Sequence, residues 1–328
     1  MNEMVQNEPK GFLNAIDRDG DPYKYLERLG DRRLVVHTFG NPRHTPFFLL
    51  HGGPGWGGNL APRRFNLENH NAFVIAPTRP GYYESDPQPG RTYDDTADDV
   101  AAIAKALNIE QYYVIGRSMG GLHAIATLGK NGKAVLGAAA LGSMAPPDLM
   151  DSSWTKEMIE ANAKLLTMTD QKVTDHYREK HRLAAFENDN FVHVPEEFSD
   201  DDLLDLRRLG ITEALQTAYR KSYQERGLES GLGWPHDILA LRRGFGDTLS
   251  EVDGRNVLLF YNEKDRFTPL EHGIALKKKL PNSQLIINYQ TYPSSPNSLI
   301  FPHYDSLTHF GGFSNLLPAM AMLTTLNR

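Results

Sequence analysis

Tyr112-Tyr113-Val114-Ile115-Gly116-Arg117-Ser118-Met119-Gly120 runs directly into Gly121-Leu122-His123-Ala124-Ile125-Ala126. A short, continuously apolar run ending on glycine reads as a buried strand, and Leu122, Ile125 and Ala126 fall at helical spacing. Between them stands G-x-S-x-G, a pattern that carries a serine on a sharp strand-to-helix turn. The glycines have a steric reason. A residue on so tight a bend takes strained backbone angles, and its neighbours two positions away must be small to avoid clashes. Ser118 is thus expected to be lifted clear of the sheet as a nucleophile.

Working outward, Phe47–Leu50, Phe73–Ala76, Val135–Leu141, Val257–Tyr261 and Leu285–Tyr289 have the same unbroken apolar character. Continuous rather than alternating runs suit a parallel sheet covered on both faces. Arg33–Phe39 reads as an earlier strand, antiparallel at the edge. Helical patterns fall between: Val100, Ile103, Ala104 and Leu107 follow a cap signal at Thr92–Asp95. Thr268-Pro269-Leu270-Glu271 reads as a capping box with Pro at the first helical position, and Lys277, Lys278 and Lys279 close that helix. Alternating strand and helix predicts an α/β fold, a doubly wound and mostly parallel sheet.

The alternation stops near Pro146-Pro147 and resumes near Val257. From Asp148 to Asp247 the chain carries 20 acidic and 13 basic residues, a net of −7, against +1 for the remainder. This strand-poor, acidic stretch predicts a helical cap over residues 146–245, inserted into a core made of 1–145 and 246–328.

The 328 residues contain no cysteine, which excludes disulfides, thiolate metal sites and thiol catalysis. A net charge of −6 without a basic stripe excludes nucleic acid as an expected partner. No window approaches a membrane span and the first ten residues lack a leader pattern, so a soluble, cytoplasmic protein without membrane association is expected.

A second glycine-rich segment, His51-Gly52-Gly53-Pro54-Gly55-Trp56-Gly57-Gly58, follows the Phe47 strand. It has no Walker pattern. It is suited to bring a backbone N–H, that of Gly53, beside the N–H of Met119, giving two donors for an oxyanion.

Elbow and loop together resemble the α/β-hydrolase superfamily, and His51-Gly52-Gly53-Pro54-Gly55 resembles its proline iminopeptidase branch. Arg79-Pro80-Gly81-Tyr82-Tyr83-Glu84-Ser85 is similar to that superfamily's turn after the next strand, with Thr78 where Asp is common and Tyr83 where Gly is common. The resemblance implies a triad running serine, acid, histidine along the chain. Asp265, in the loop after the Val257 strand, is the best acid, with Glu263 as rival. His176, His181, His193 and His236 sit in or beside the insertion and His272 in a helix, which leaves His303 and His309. His309, just before the C-terminal helical stretch, matches the base of similar hydrolases.

These residues imply acyl transfer: Ser118 attacks a carbonyl, His309 oriented by Asp265 takes its proton, Gly53 and Met119 hold the oxyanion, and water releases the acid. No cofactor or metal is required. Trp56, Tyr82, His303 and Tyr304 are candidate pocket residues. The substrate reads as a small-molecule ester or, if the iminopeptidase likeness extends that far, a short peptide whose free amine is gripped by Glu187. A non-hydrolytic lyase or a binding protein on the same fold is the remaining reading.

Overall fold

The computed structural model describes residues 24–29, 31–58, 70–150, 158–186, 211–254, 256–288 and 316–326. Eight strands form one sheet: β1 (Lys24–Leu29), β2 (Arg32–Gly40), β3 (Thr45–Leu50), β4 (Ala72–Pro77), β5 (Tyr112–Arg117), β6 (Val135–Leu141), β7 (Val257–Asn262) and β8 (Gln284–Asn288). Their spatial order is β1-β2-β4-β3-β5-β6-β7-β8. β1 and β2 pair antiparallel, β2 and β4 likewise, and every later pairing is parallel. The expected α/β class is therefore correct. One detail needs correction: β2 is not the edge, because β1 covers it. Lys24–Leu29 mixes charged and apolar residues, and a strand with a single neighbour needs no long apolar run to form.

Among the described residues, helices cover both faces of the sheet. α1 (Tyr93–Ala106) and α2 (Met119–Asn131) cover one face together with α7 (Leu270–Lys279). Alternate strand residues make that contact: Phe48, Leu50 and Val114 meet Val100, Ile103 and Ala124, while Leu259 and Tyr261 meet Ile125 and Leu276. The opposite set, Phe47, Ile115, Leu141, Leu258 and Phe260, packs on α8 (Leu316–Leu326) through Leu316, Ala319, Met320 and Leu323. Burial on both faces is the reason these strands are apolar throughout.

The helix starts follow local chemistry. At α1 the Asp95 carboxylate accepts from the Thr92 N–H at 2.7 Å, as the cap signal predicts. α7 begins after Pro269, one residue beyond the expected cap, because the Thr268 hydroxyl donates to Asp265 Oδ2 at 2.7 Å instead of capping a helix.

Between β6 and β7 the described residues contain no strand. They form α3 (Glu160–Thr167), α4 (Asp170–Phe186), α5 (Ile211–Arg226) and α6 (Gly233–Arg243). An apolar cluster of Leu165, Val173, Tyr177 and Ile238 joins α3, α4 and α6 to Met119, at the head of α2.

Leu259 is fully buried between α2 and α7. Leu259→Ala is expected to lower unfolding stability by about 2–5 kcal/mol, as a shift in the urea midpoint at unchanged slope.

Candidate active site

Strand order reverses at β3, which lies between β4 and β5, and such switch points open a crevice at the strands' carboxyl ends. Leu50 and Gly116 pair across β3 and β5, so the segments that follow them leave the sheet side by side. One is the loop 51–58 and the other is the elbow.

Ser118 has φ 52° and ψ −125°, between the end of β5 and the first residue of α2. That is the strained bend expected of it, and side chains there cost roughly 1–3 kcal/mol. It is held by Ser118 N–H donating to Leu141 O at 2.8 Å and by Gly121 N–H donating to Ser118 O at 2.9 Å. The flanking glycines are required by contact. A Cβ on Gly116 would stand 1.9 Å from Gly120 O, and one on Gly120 would stand 2.2 Å from Leu50 O.

The loop 51–58 lies against this bend. A Cβ on Gly52 would fall 3.2 Å from Ser118 Cβ, and one on Gly53 would fall 2.6 Å from Met119 Sδ and 3.4 Å from Trp234 Cδ1. No acceptor among the described residues takes the Gly53 or Met119 N–H. Asp265 is buried in the loop after β7, its Oδ1 accepting from the Phe267 and Thr268 N–H groups at 2.8 and 3.0 Å. Glu263 is exposed. Glu187, His303, Tyr304 and His309 lie outside the described residues. Arg117 is brought down by burial to about 10, against the opposing effect of Asp265.

Trp56 stands with Tyr83, their ring centroids 6.2 Å apart. Tyr83 has φ 49°, a left-handed conformation that suits glycine, the residue common at this point of similar turns. Thr78, in place of the usual Asp, accepts from Gly57 N–H through Oγ1 at 2.8 Å and so ties the loop 51–58 to the end of β4.

Sequence reasoning missed the most polar part of this region. Asp237, on α6 between β6 and β7, is fully buried and accepts from Arg79 Nη2 at 2.7 Å, Tyr82 Oη at 2.6 Å, Arg91 Nη2 and, at 3.1 Å, His123 Nε2. Tyr82, expected to line a pocket, is 2% exposed and directs its hydroxyl into this cluster. Burial would raise the Asp237 carboxyl, but the guanidiniums of Arg79 and Arg91 outweigh it and hold it well below the carboxylate range. Burial, reinforced by the Arg79 charge, holds His51 well below its ordinary value, and burial lowers His123 to about 4. His123 follows Ser118 in the chain yet went unweighed as a partner, and its ring belongs to Asp237. The signal for Asp237 was there: in Trp234-Pro235-His236-Asp237-Ile238-Leu239-Ala240-Leu241 it is an acid among apolar neighbours on a helix.

Over the elbow stand Trp234 and Tyr177, ring centroids 4.2 Å apart, with Met119 beneath. Among the described residues no group of three or more His, Asp or Glu side chains is arranged to hold a metal, and no helix is long and apolar enough to cross a membrane.

Residues 45–293 match the family described as alpha/beta hydrolase fold. The chain is 28% identical over 267 residues to a putative non-heme chloroperoxidase of Synechocystis, covering 80% of this chain and 88% of that one. It is 38% identical over 99 residues to a proline iminopeptidase of Xylella fastidiosa, covering 29% and 31% of the two chains. An esterase structure from Thermogutta terrifontis superposes with a TM-score of 0.60 at 17% identity, over 97% of this chain and 98% of that one, a likeness of fold.

Two outcomes follow from the geometry. Ser118→Ala keeps a Cβ at positive φ whereas Ser118→Gly relieves it, so the glycine variant should be the more stable of the two by about 1 kcal/mol in urea unfolding. Buried His51 and His123 and half-buried His236, the last lowered by desolvation to about 4, stay neutral while the unfolded chain takes up protons. Stability should therefore fall as pH drops from about 6.5 towards 4, read as a falling melting temperature, and this histidine contribution is flat above 6.5.

Proposed function

The chain belongs to the α/β-hydrolase family of enzymes, and from that membership we propose that it is a serine hydrolase of esterase type acting on a small ester with an apolar acyl group. The observation that carries this reading is the backbone of Ser118, strained to φ 52° at the carboxyl end of β5 with the Gly53 segment packed beside it. Strain of this kind persists where surrounding structure over-determines it, and it clusters at active sites.

In the proposed reaction His309 removes the Ser118 proton as Oγ attacks the ester carbonyl. The oxyanion rests on the Gly53 and Met119 N–H groups. The alcohol leaves with the proton from His309, and a water activated by the same imidazole then cleaves the acyl-serine. Asp265 orients the imidazole. Its Oδ1 is already occupied by two backbone N–H donors, which fixes the carboxylate in place. His309 stands seven residues before Leu316, which packs with Leu141 and Phe260 at the ends of β6 and β7. A segment of that length spans at most roughly 24 Å. Inserted helices α3, α4 and α6 serve as a cap whose Leu165, Tyr177, Trp234 and Ile238 contribute apolar surface above Met119.

An ester is preferred to a peptide with a free amine because of Asp237. Its oxygens face two guanidiniums, an imidazole and a phenol, so it is not available to a substrate ammonium. The iminopeptidase alternative rests on the loop His51-Gly52-Gly53-Pro54-Gly55 and the partial match to the Xylella enzyme, and there Glu187 is the amine ligand.

A fluorophosphonate probe should label the wild type and not Ser118→Ala, which should lose at least about 10,000-fold in kcat on p-nitrophenyl butyrate. His309→Gln should lose most activity and His303→Gln little. Proline p-nitroanilide should be the poorer substrate. A clear prolyl preference abolished by Glu187→Ala would reverse the order of the two readings, and an unlabelled wild type would favour a non-enzymatic or lyase role.

A further inference from the structure

The carbonyl of Gly52 and the N–H of Gly53 belong to one planar peptide unit and point in opposite directions. Whatever holds the Gly52 oxygen therefore aims the Gly53 N–H. Two side chains hold it: His51 Nδ1 at 2.7 Å and Arg79 Nη2 at 3.5 Å. The protonation of the ring is set by its other nitrogen. Arg79 N–H donates to His51 Nε2 at 3.0 Å, so Nε2 is the acceptor and Nδ1 carries the hydrogen given to Gly52 O. Arg79 Nη1 also donates to the His51 carbonyl, so one guanidinium spans two successive loop carbonyls.

The guanidinium is in turn fixed from the insertion. Arg79 Nη2 donates to Asp237 Oδ2 at 2.7 Å, and both side chains are essentially inaccessible. Asp237 is seated by α6, whose first residue Gly233 donates its N–H to Gly81 O at 2.7 Å, with Arg91 Nη2 donating to Gly233 O at 3.1 Å. A contiguous path thus runs from the inserted helix to the proposed oxyanion donor.

We propose that Asp237, acting through Arg79 and His51, is a positioning residue for the oxyanion site, so that docking of α6 sets the direction of the Gly53 N–H. This rests on the serine hydrolase reading above. Buried ion pairs add little net stability, whereas a forked guanidinium fixes geometry at both ends. Here the fork grips a carboxylate on one side and backbone carbonyls on the other. Arg91 shares the seat of that carboxylate, so the control for stability alone is Val135, buried at the start of β6 and outside this path.

The test measures kcat and KM for p-nitrophenyl butyrate, inhibition by an aryl trifluoromethyl ketone, and melting temperature, in wild type, Arg79→Lys, His51→Phe and Val135→Ala. Lysine cannot span the carboxylate and two carbonyls, and phenylalanine keeps the ring that packs edge-on against Tyr82 but loses both nitrogens. Arg79→Lys and His51→Phe should each lower kcat roughly 100-fold with KM nearly unchanged, and weaken the ketone by a similar factor. Val135→Ala should lower the melting temperature and keep kcat. The proposal is overturned if folded Arg79→Lys and His51→Phe keep wild-type kcat, if only their KM moves, or if Val135→Ala loses as much kcat as they do. Those outcomes leave the serine hydrolase reading intact, because wild-type turnover is measured alongside. Absence of wild-type turnover and of Ser118 labelling overturns both.

Discussion

Backbone meets backbone at the bend that carries Ser118, and much of the site follows from that contact. The Gly120 α-carbon lies so close to Leu50 O that any side chain there would sit 2.2 Å from it, so the elbow and the end of β3 are pressed together. Pairing of Leu50 with Gly116 then makes residues 51–53 leave the sheet beside residues 117–119. One close approach accordingly forms the turn and supplies its neighbour. The strain at Ser118 is sustained by buried α2, whose Leu122, Ile125 and Ala126 face β7 and α7. A helix fixed along its length cannot unwind its first turn to relax one residue.

The helices between β6 and β7 dock by a different principle. Leu165, Val173, Tyr177 and Ile238 provide apolar contact, which is non-directional and tolerates sliding. Asp237 provides the direction, because its oxygens match donors from Arg79, Arg91, Tyr82 and His123 that come from separate segments. Removing one half of such a buried group costs several kcal/mol, so α6 is held in one register.

The sheet was legible because its strands are buried on both faces and leave unbroken apolar runs, and the elbow because glycine spacing records a steric need. β1 was not, since a half-paired edge strand leaves no such run. The place of Asp265 in the loop after β7 was readable, but the Thr268 hydroxyl that holds it was read as a helix cap, two uses of one residue that local sequence does not separate. The Asp237 cluster was the largest omission. Arg79, Arg91 and His123 lie 158, 146 and 114 residues from their common partner. No periodicity spans such separations, and only the oddity of an acid among apolar neighbours hinted at it.

That cluster also bears on which substrate suits the site. With His51 and His123 held neutral by burial and Tyr82 protonated, two guanidiniums face a single carboxylate, and the buried group carries an excess positive charge beneath the loop 51–58. In a low-dielectric interior such a charge is weakly screened by salt and favours negative charge developing on the far side of the peptide. In the proposed reaction, an ester carbonyl becoming an oxyanion at Gly53 would gain from it. A substrate ammonium brought to the same place is opposed by it, and an apolar pair in place of Arg79 and Asp237 would dock α6 without any field. The residues that fix the loop therefore also weigh against an amine-bearing substrate, by the same charge that would steady the proposed transition state.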